Sequence, residues 1–331
     1  MVLREERNDG CGIKAHQNTT PAVDVWFWNE YVQEIAMKLS IITPCLNAAQ
    51  VLRCCIDSVL QQGGATIEHI IMDGGSTDGT QEILAEFPTI RWQSRADEGM
   101  YDAMNRGMAM ATGDVIAFLN SDDRLAPGAV QSVAAAFRDD PAAPCVTGFA
   151  QLQPPNGDAP WLYPAPLRRL SVAAALYGPV LLNARFFRRA IFDTVGVFYP
   201  KFKVAGDRDF ILRCAASGME TVQIDDIVYI YNSHPKSLTF SEQGLLTAAA
   251  DNLRLSRDRL DTLPHHDPMR PLYRAWHGWS VGQNAYYAIK FNHIGQALQQ
   301  SCQAFAGDCA WPYYFILGLP KIRRFRSGEF A

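Results

Sequence analysis

The stretch Asp114-Val-Ile-Ala-Phe-Leu-Asn-Ser-Asp-Asp123 decides the fold, because it joins an apolar run directly to a pair of carboxylates. The run 114–119 is typical of a buried strand in a parallel sheet. Two adjacent aspartates at the end of such a strand repel each other unless a positive group lies between them. Their oxygens suit Mg²⁺ or Mn²⁺. Taken alone, Ser-Asp-Asp is more typical of a solvated turn that caps the next helix than of a metal site.

The composition excludes several classes of protein. The 331 residues are 48% hydrophobic and 19% charged, which supports a sizeable core and argues against extensive disorder. The net charge of −4 gives no overall basic surface, so we expect no nucleic-acid partner. The eight cysteines include no Cys-x-x-Cys pair and therefore no zinc pattern. Neither an apolar run of ~18 residues nor a signal-peptide core occurs, so we expect a cytoplasmic protein.

Strands and helices alternate from residue 38 onward. Strands are predicted at Lys38–Thr43 and Ile67–Met72, followed by the strand at 114–119. The helical segments between them predict an α/β fold with a doubly wound, mixed but mainly parallel sheet. The loops 43–47, 73–80 and 120–123 each follow a strand. They are therefore expected at the same edge of the sheet, where ligands of such folds bind.

The second of these loops, Asp73-Gly-Gly-Ser-Thr-Asp-Gly-Thr80, places a carboxylate beside glycines. Glycine lets the backbone approach a ligand closely, and Asp73 could accept hydrogen bonds from a base or ribose. A plain strand-to-helix turn is the alternative. The loop is neither a Walker A motif nor a dinucleotide fingerprint. In the first loop, Asn47 is predicted to cap a helix together with Gln50.

Five segments, in this order, resemble bacterial family 2 glycosyltransferases of the GT-A fold, the inverting polysaccharide-biosynthesis type. They are Ile41-Ile-Thr-Pro-Cys-Leu-Asn47, Met72-Asp-Gly-Gly-Ser-Thr-Asp-Gly-Thr80, Asp97-Glu-Gly-Met-Tyr-Asp-Ala-Met-Asn-Arg-Gly107, Phe118-Leu-Asn-Ser-Asp-Asp123 and Gly206-Asp-Arg-Asp209. The resemblance covers about residues 38–235. The residues that it implies for nucleotide binding are Thr43, Pro44, Asn47, Asp73, Gly74, Asp97, Gly99, Asn105, Ser121 and Asp122.

The same resemblance implies a divalent metal, Mn²⁺ or Mg²⁺, held by Asp122 and Asp123. The sequence departs from the family's Asp-x-Asp pattern because Asn120 replaces the first carboxylate. Which aspartate binds the metal therefore stays open. His234, which follows a predicted strand over 222–231, is either a third metal or diphosphate contact or a histidine of a surface loop.

Sugar transfer to a hydroxyl requires a base within hydrogen-bond reach of that hydroxyl. The resemblance aligns Asp207 with this base and leaves Asp209 as the second candidate. Both lie at the start of a predicted helix, where capping and an ion pair with Arg208 or Arg213 are the alternative explanation. Upstream of this helix, Val180–Leu182 is predicted as a strand and Arg185–Phe192 as a helix.

The chain is expected to comprise a leader (1–37), a catalytic domain (38–235) and a helical C-terminal extension (236–331). The catalytic domain would consist of a nucleotide-binding half (38–123) and an acceptor half (124–235). The extension ends with Trp311-Pro-Tyr-Tyr-Phe-Ile-Leu-Gly-Leu319 and a group of cations. This pattern indicates either a peripheral contact with the anionic inner leaflet of the cell membrane or a helix packed on the catalytic domain.

The predicted function is transfer of a sugar from a nucleotide-sugar donor, a UDP-sugar, to a hydroxyl of a glycan or lipid-linked glycan. Two alternatives remain at this point. One keeps the fold and changes the reaction to nucleotidyl transfer or to retaining sugar transfer. The other is a non-catalytic nucleotide-sugar-binding subunit of a glycan-assembly complex, which Asn120 favours.

Overall fold

The computed structural model describes residues 37–293 except 156–157, 164–169, 235–236 and 239–240, together with residues 295 and 299. The chain divides into two units, 1–36 and 37–331, and all described residues belong to the second. The leader up to residue 36 and the aromatic and basic segment after Trp311 lie outside the described residues.

The described part of the chain forms one sheet flanked by helices. Its strands are β1 (Lys38–Cys45), β2 (Thr66–Asp73), β3 (Arg91–Ser94), β4 (Val115–Phe118), β5 (Arg124–Leu125), β6 (Cys145–Gln153), β7 (Trp161–Tyr163), β8 (Arg185–Arg188) and β9 (Val222–Asn232). Its helices are α1 (Leu52–Leu60), α2 (Thr80–Ala85), α3 (Met100–Met110), α4 (Ala129–Asp139), α5 (Val172–Tyr177), α6 (Ala190–Val195), α7 (Gly206–Ala216), α8 (Glu242–Thr262) and α9 (Arg270–Lys290).

The strand order is β3-β2-β1-β4-β8-β6-β9-β5, with β7 paired to β6. The first four strands of this order run parallel, as the alternation of strands and helices predicts. Strand β8 joins the two halves of the sheet, because it pairs antiparallel with both β4 and β6. Strand β9 is parallel to β6 and antiparallel to β5. The prediction of a mixed, mainly parallel α/β sheet followed by C-terminal helices is confirmed.

Helices cover both faces of the sheet. Ile42 and Phe118 pack into a core layer with α3, α5, α7 and α9, whereas Ile41 and Ala117 face the layer formed with α1 and α4. Successive strand residues point to opposite faces, so strands covered on both faces read as continuous apolar runs. No helix within the described residues is long and apolar enough to cross a membrane.

The prediction of a strand at Val180–Leu182 and a helix at Arg185–Phe192 is wrong. A short 3₁₀ helix covers Leu182–Ala184, and the next four residues are β8. Phe186 and Phe187 are both fully buried, one in each core layer. Burying each phenyl ring contributes about 2 kcal/mol. The aromatic run is therefore a strand covered on both faces, which composition alone does not distinguish from a helix.

Glu68 ties the first strands together at the end of the sheet opposite the three predicted ligand loops. Its carboxylate accepts hydrogen bonds from Ser40 Oγ at 2.6 Å, Gly113 N at 3.1 Å and Thr112 Oγ1 at 2.9 Å. Arg91 Nη1 lies 2.9 Å and Lys38 Nζ 3.1 Å from Glu68 Oε2. Burial raises the pKa of Glu68, but the hydrogen bonds outweigh it and lower this pKa to about 2.

Replacing Glu68 with Gln is expected to lower the free energy of unfolding at pH 7 by about 3 kcal/mol, because buried donors lose a charged acceptor. The folded-state pKa of Glu68 lies below the ordinary 4.5, so its contribution is complete above pH 4.5 and is lost as the pH falls towards 2. Urea unfolding at pH 7 and pH 3 tests this. Glu86→Gln, which breaks the exposed pair with Arg53, is the matched control and should cost under about 1 kcal/mol. Equal losses for the two variants would contradict the prediction.

Candidate active site

A cavity of about 550 Å³ opens at the carboxyl ends of β1 and β4. The loop 120–123 lines it on one side, and the start of α7 lines it on the other. The polar side chains along its wall are Asp97, Tyr101, Asn120, Ser121, Asp122, Asn183, Asp207, Arg208, Tyr229, Tyr231, Ser237 and Asn252. The apolar ones include Pro44, Leu46, Met100, Tyr163, Val180, Leu181, Leu182 and Leu238.

The two adjacent aspartates after β4 have different surroundings. Asp123 is 1% exposed, and its Oδ1 accepts the backbone N–H of Asn232 at 2.7 Å. Its Oδ2 accepts from the Tyr229 hydroxyl and from Asn120 Nδ2. Burial, followed by the charge of Asp122, raises the pKa of Asp123 to about 7. The prediction that Asp123 binds the metal directly does not fit this geometry, because both of its oxygens already hold the loop to β9.

Asp122 is the carboxylate of this pair that faces the cavity. About a third of its side chain is exposed, and Oδ2 lies 2.8 Å from His234 Nε2. The backbone carbonyl of Asp122 accepts from Asn232 Nδ2 at 2.7 Å, which fixes the loop against the end of β9. The structure thus brings His234 next to Asp122.

These residues fit part of a divalent-cation site. Among the residues that the structure describes, no cluster of three or more His, Cys, Asp or Glu side chains could hold a metal. Asp122 and His234 therefore supply two ligands at most. Asn120 Oδ1, at the same cavity wall, is buried without a hydrogen-bond partner in the described part of the chain. Mg²⁺ and Mn²⁺ sites in enzymes commonly use one or two carboxylates and take their other ligands from water and phosphates.

A second acidic loop, before α3, borders the same cavity. Asp97 Oδ1 accepts the N–H of Gly99 at 2.9 Å. Gly99 has φ = 123° and ψ = 179°, a conformation that only glycine adopts readily. A Cβ on Gly74 would lie 2.8 Å from Asp97 Oδ2, so the absence of a side chain there makes room for this carboxylate. The predicted residues Asp97 and Gly99 line the cavity, and Gly74 leaves the space that the Asp97 carboxylate occupies.

Asp207 lies in the first turn of α7 and lines the cavity from the acceptor half. Burial raises the pKa of Asp207 above its ordinary value, and the charge and backbone N–H of Arg208 offset part of this rise. The Arg208 side chain is directed to the carbonyls of Ala175, Leu176 and Gly178. It therefore supports the cavity wall that follows α5.

Asp209 does not line the cavity. It is 2% exposed, its Oδ2 accepts from Arg213 Nε at 2.9 Å, and its Oδ1 accepts from Arg259 Nη2 at 2.7 Å. Both oxygens of this carboxylate are thus bound by guanidinium groups, away from the cavity wall. We therefore withdraw Asp209 as the second candidate for the base and retain the ion-pair explanation for it.

Of the predicted nucleotide-binding residues, five line the cavity: Pro44, Asp97, Gly99, Ser121 and Asp122. Thr43, Asn47, Asp73, Gly74 and Asn105 do not, and the loop 73–80 makes no part of the wall. Nucleotide binding by these five residues stays a prediction, and they lie outside the wall of this cavity.

Three of the residues that do not line the cavity make contacts within the protein instead. Asp73 is fully buried and accepts from Ser76 N at 3.0 Å and from Ser94 Oγ at 2.5 Å. Asn105 binds both the N–H and the carbonyl of Phe198, at 3.0 and 2.9 Å. Thr43 Oγ1 lies 2.9 Å from His69 Nε2.

The helix cap predicted at Asn47 is wrong. Helix α1 begins at Leu52 without a side-chain cap, and Asn47 Oδ1 accepts the N–H of Thr77 at 3.0 Å. Asn47 also has φ = 50°. Its amide therefore joins the loop after β1 to the loop after β2.

Four cavity residues could not be found from their sequence context: Tyr101, Asn183, Tyr229 and Asn252. Asn183 Nδ2 donates to the Tyr229 hydroxyl at 2.7 Å, and this hydroxyl donates to Asp123. Tyr101, 2% exposed, donates to the carbonyl of Val204 at 2.6 Å. These contacts link positions up to 106 residues apart, so no local pattern predicts them.

Known proteins share this architecture. The glycosyl transferase family 2 model matches residues 40–195. A PGL/p-HBAD biosynthesis glycosyltransferase of Mycobacterium tuberculosis is 34% identical over 204 residues, which cover 60% of this chain and 77% of the relative. The structure of S. aureus TarS 1–349 in complex with UDP-GlcNAc is similar with a TM-score of 0.53 at 14% identity, over 88% of this chain and 92% of TarS 1–349.

The mannosyltransferase PcManGT from Pyrobaculum calidifontis, in complex with GDP-Man and Mn²⁺, is similar with a TM-score of 0.52 at 15% identity, over 90% of each chain. At such low identities, the similarity to these two solved structures shows the fold alone, which is the GT-A fold. The family match, by contrast, spans residues 40–195, which include Pro44, Asp97 and the loop 120–123 of the cavity wall. The chain therefore belongs to glycosyl transferase family 2 and is a nucleotide-sugar glycosyltransferase.

Proposed function

We propose that this enzyme transfers a sugar from a UDP-sugar to a hydroxyl of a glycan or lipid-linked glycan, with inversion at the anomeric carbon. One observation carries the proposal: Asp122 and Asp207 line the same cavity from its two halves. Because the chain is a glycosyltransferase, a nucleotidyltransferase and a non-catalytic binding subunit are no longer alternatives. Retaining transfer remains the competing reaction.

The donor is proposed to lie along the wall formed by Pro44, Asp97 and Ser121, with its diphosphate beside Asp122. Asp122 and His234, 2.8 Å apart, would hold a divalent metal together with the phosphate oxygens. When bound, the metal offsets the negative charge that develops on the departing diphosphate. The fixed hydrogen bonds of Asp123 keep the loop in place, so Asp122 does not need to reorganise during the reaction.

Asp207 is proposed to accept the proton of the attacking hydroxyl. Burial raises the pKa of its carboxyl group, which brings its basicity closer to that needed near neutral pH. Attack on the face opposite the diphosphate forms the new C–O bond as the bond to the diphosphate breaks. This displacement requires no covalent enzyme intermediate and inverts the anomeric centre.

The acceptor side of the cavity combines polar and apolar groups. Asn252 Oδ1 is buried without a partner among the described residues and could accept a hydrogen bond from a sugar hydroxyl. Tyr163, Val180 and Leu182 form an apolar wall, which suits the aglycone or lipid part of an amphipathic acceptor.

The donor class is tested by thermal unfolding of the purified protein with UDP or GDP, each with and without Mn²⁺. At a ligand concentration near 100 times Kd, we expect UDP with Mn²⁺ to stabilise the protein by about 2.7 kcal/mol, which raises Tm by several degrees. UDP without metal should give a smaller shift. A larger shift with GDP would overturn the UDP assignment, since the fold also serves a GDP-Man enzyme. The UDP-sugars that pass this screen are then assayed for transfer.

A further inference from the structure

Helix α8 reaches the loop that leads into the catalytic turn of α7. The Oδ2 atom of Asp251 accepts three backbone N–H groups in succession: Lys203 at 2.6 Å, Val204 at 2.7 Å and Ala205 at 3.2 Å. Asp251 is buried, with 8% of its surface exposed. A buried carboxylate oxygen that accepts three N–H groups holds all three donors in a fixed arrangement.

The acceptor for these three N–H groups does not come from the neighbouring sequence. Ala205 precedes α7 and has no side chain that could accept from the first turn. The loop N–H groups therefore obtain their acceptor from a helix 46 residues away. The negative charge of Asp251 also lies near the positive end of the α7 dipole, where an anion is favourable.

The clamped loop is directly connected to the active site. The carbonyl of Val204 accepts from Tyr101, and Val204, Ala205 and Tyr101 all line the cavity. Asp207 follows Ala205 by two residues. Lys203 Nζ donates to the carbonyl of Glu98 on the donor side. A shift of this loop would thus move Asp207 relative to the sugar. The contact between Lys203 and Glu98 does not hold the loop to the same degree, because the long Lys203 side chain can adapt to such a shift.

A second contact between α8 and α7 holds the other side of the catalytic turn. Arg259 Nη2 binds Asp209 Oδ1, and Arg213 binds the other oxygen of the same carboxylate. Asp251 and Arg259 are eight residues apart on α8, about two turns, so both face α7. Helix α8 therefore fixes both the approach to α7 and its first turn.

We propose that Asp251 is a positioning residue for sugar transfer, which holds the loop 203–205 so that Asp207 meets the acceptor hydroxyl. The inference rests on the proposed role of Asp207 as the base. Asp251 lies outside residues 40–195, which match the family model. The proposed donor side of the site lies within that range, and the C-terminal helices complete the site from outside it. Helix α8 then affects the reaction through the position of Asp207, and Asp251 itself takes part in no chemical step.

The test compares Asp251→Ala and Asp251→Asn with Asp258→Asn. Asp258 lies two turns further along α8 and forms an exposed ion pair with Lys201 at 2.7 Å, so it is a matched control. Asp251→Ala should lower kcat about 100-fold, the effect expected of an ångström-scale misplacement, and Asp251→Asn about tenfold. The KM for the donor and the Kd for UDP should change by less than about threefold. Asp258→Asn should keep kcat within about twofold.

Two results would overturn the inference. One is an unchanged kcat in Asp251→Ala. The other is a parallel loss of UDP affinity, Tm and kcat, which indicates general damage to the fold. Asp207→Asn is measured in the same series. Transfer that survives in Asp207→Asn refutes the base and therefore the proposed function, whereas an inactive Asp207→Asn beside a fully active Asp251→Ala refutes the positioning role alone.

Discussion

Substitution of Asp207 by Asn is expected to lower kcat for sugar transfer about 1,000-fold, with UDP affinity unchanged. The amide has nearly the same shape but cannot take the proton of the acceptor hydroxyl, and general base catalysis typically contributes 10²–10⁴-fold. UDP binding should persist because Asp207 is proposed to act on the acceptor hydroxyl, whereas the diphosphate is proposed to lie beside Asp122. Steady-state kinetics and titration calorimetry with UDP measure the two quantities.

Asp193 supplies the control for Asp207. It lies in the first turn of the neighbouring helix α6, is exposed and does not line the cavity. Asp193→Asn should therefore retain wild-type kcat. If Asp207→Asn keeps more than about a tenth of the wild-type kcat, Asp207 is not the base. A product that retains the donor's anomeric configuration, seen by NMR, would exclude the inverting displacement.

The raised pKa of Asp207 gives the pH profile a definite sign. The base must be deprotonated, so kcat should rise with pH through a limb that lies above the ordinary aspartate value of 3.8. Above both the unfolded and the folded pKa, the buried charge lowers the stability of the native state, because folding favours the protonated form. Asp207→Asn removes that charge and should leave Tm unchanged or raised. A lower Tm would indicate a structural role.

The sequence was most informative where a strand leads directly into a loop. The apolar runs of β1, β2 and β4 predicted their parallel pairing, and this pairing brings Pro44 and Ser121 to one end of the sheet. Residue type and position on a strand are local properties, so one sequence suffices to predict them. The local sequence also predicted a helix start at Asp207, whereas the role of Asp207 as the base came only from the family resemblance.

Side-chain direction was the part that the sequence could not predict. Asp73 ends a strand and Asp122 follows one, yet Asp73 turns into the protein to hold Ser76, whereas Asp122 faces the cavity. An aspartate in a turn is compatible with either direction, and the choice depends on partners distant in sequence. The same holds for Asp251. In the sequence of α8 it is an ordinary polar residue, and its three donors come from the packing of α8 against the loop before α7.

Substitution of Asp122 by Asn is expected to abolish metal-dependent transfer, with a loss of at least about 1,000-fold in kcat/KM. The carboxylate of Asp122 faces the cavity and lies beside His234, whereas the oxygens of Asp123 bind Asn232 and Tyr229. Without that charge the site cannot hold the cation on the diphosphate, and several kcal/mol of transition-state stabilisation are lost. The affinity for UDP in the presence of Mn²⁺ should fall to the value measured with EDTA.

Asp123→Asn separates the two neighbouring carboxylates. Asp122 is partly exposed, so Asp122→Asn should leave Tm nearly unchanged while activity disappears. Asp123 is buried with three donors, so its amide variant should cost about 1–3 kcal/mol of stability and lower Tm by several degrees. If Asp123→Asn instead keeps its Tm and loses Mn²⁺-dependent UDP binding, the assignments of the two aspartates are reversed. The two variants carry the same chemical change at neighbouring positions. A difference between them therefore reports the direction in which each side chain points, because the substitution is the same in both.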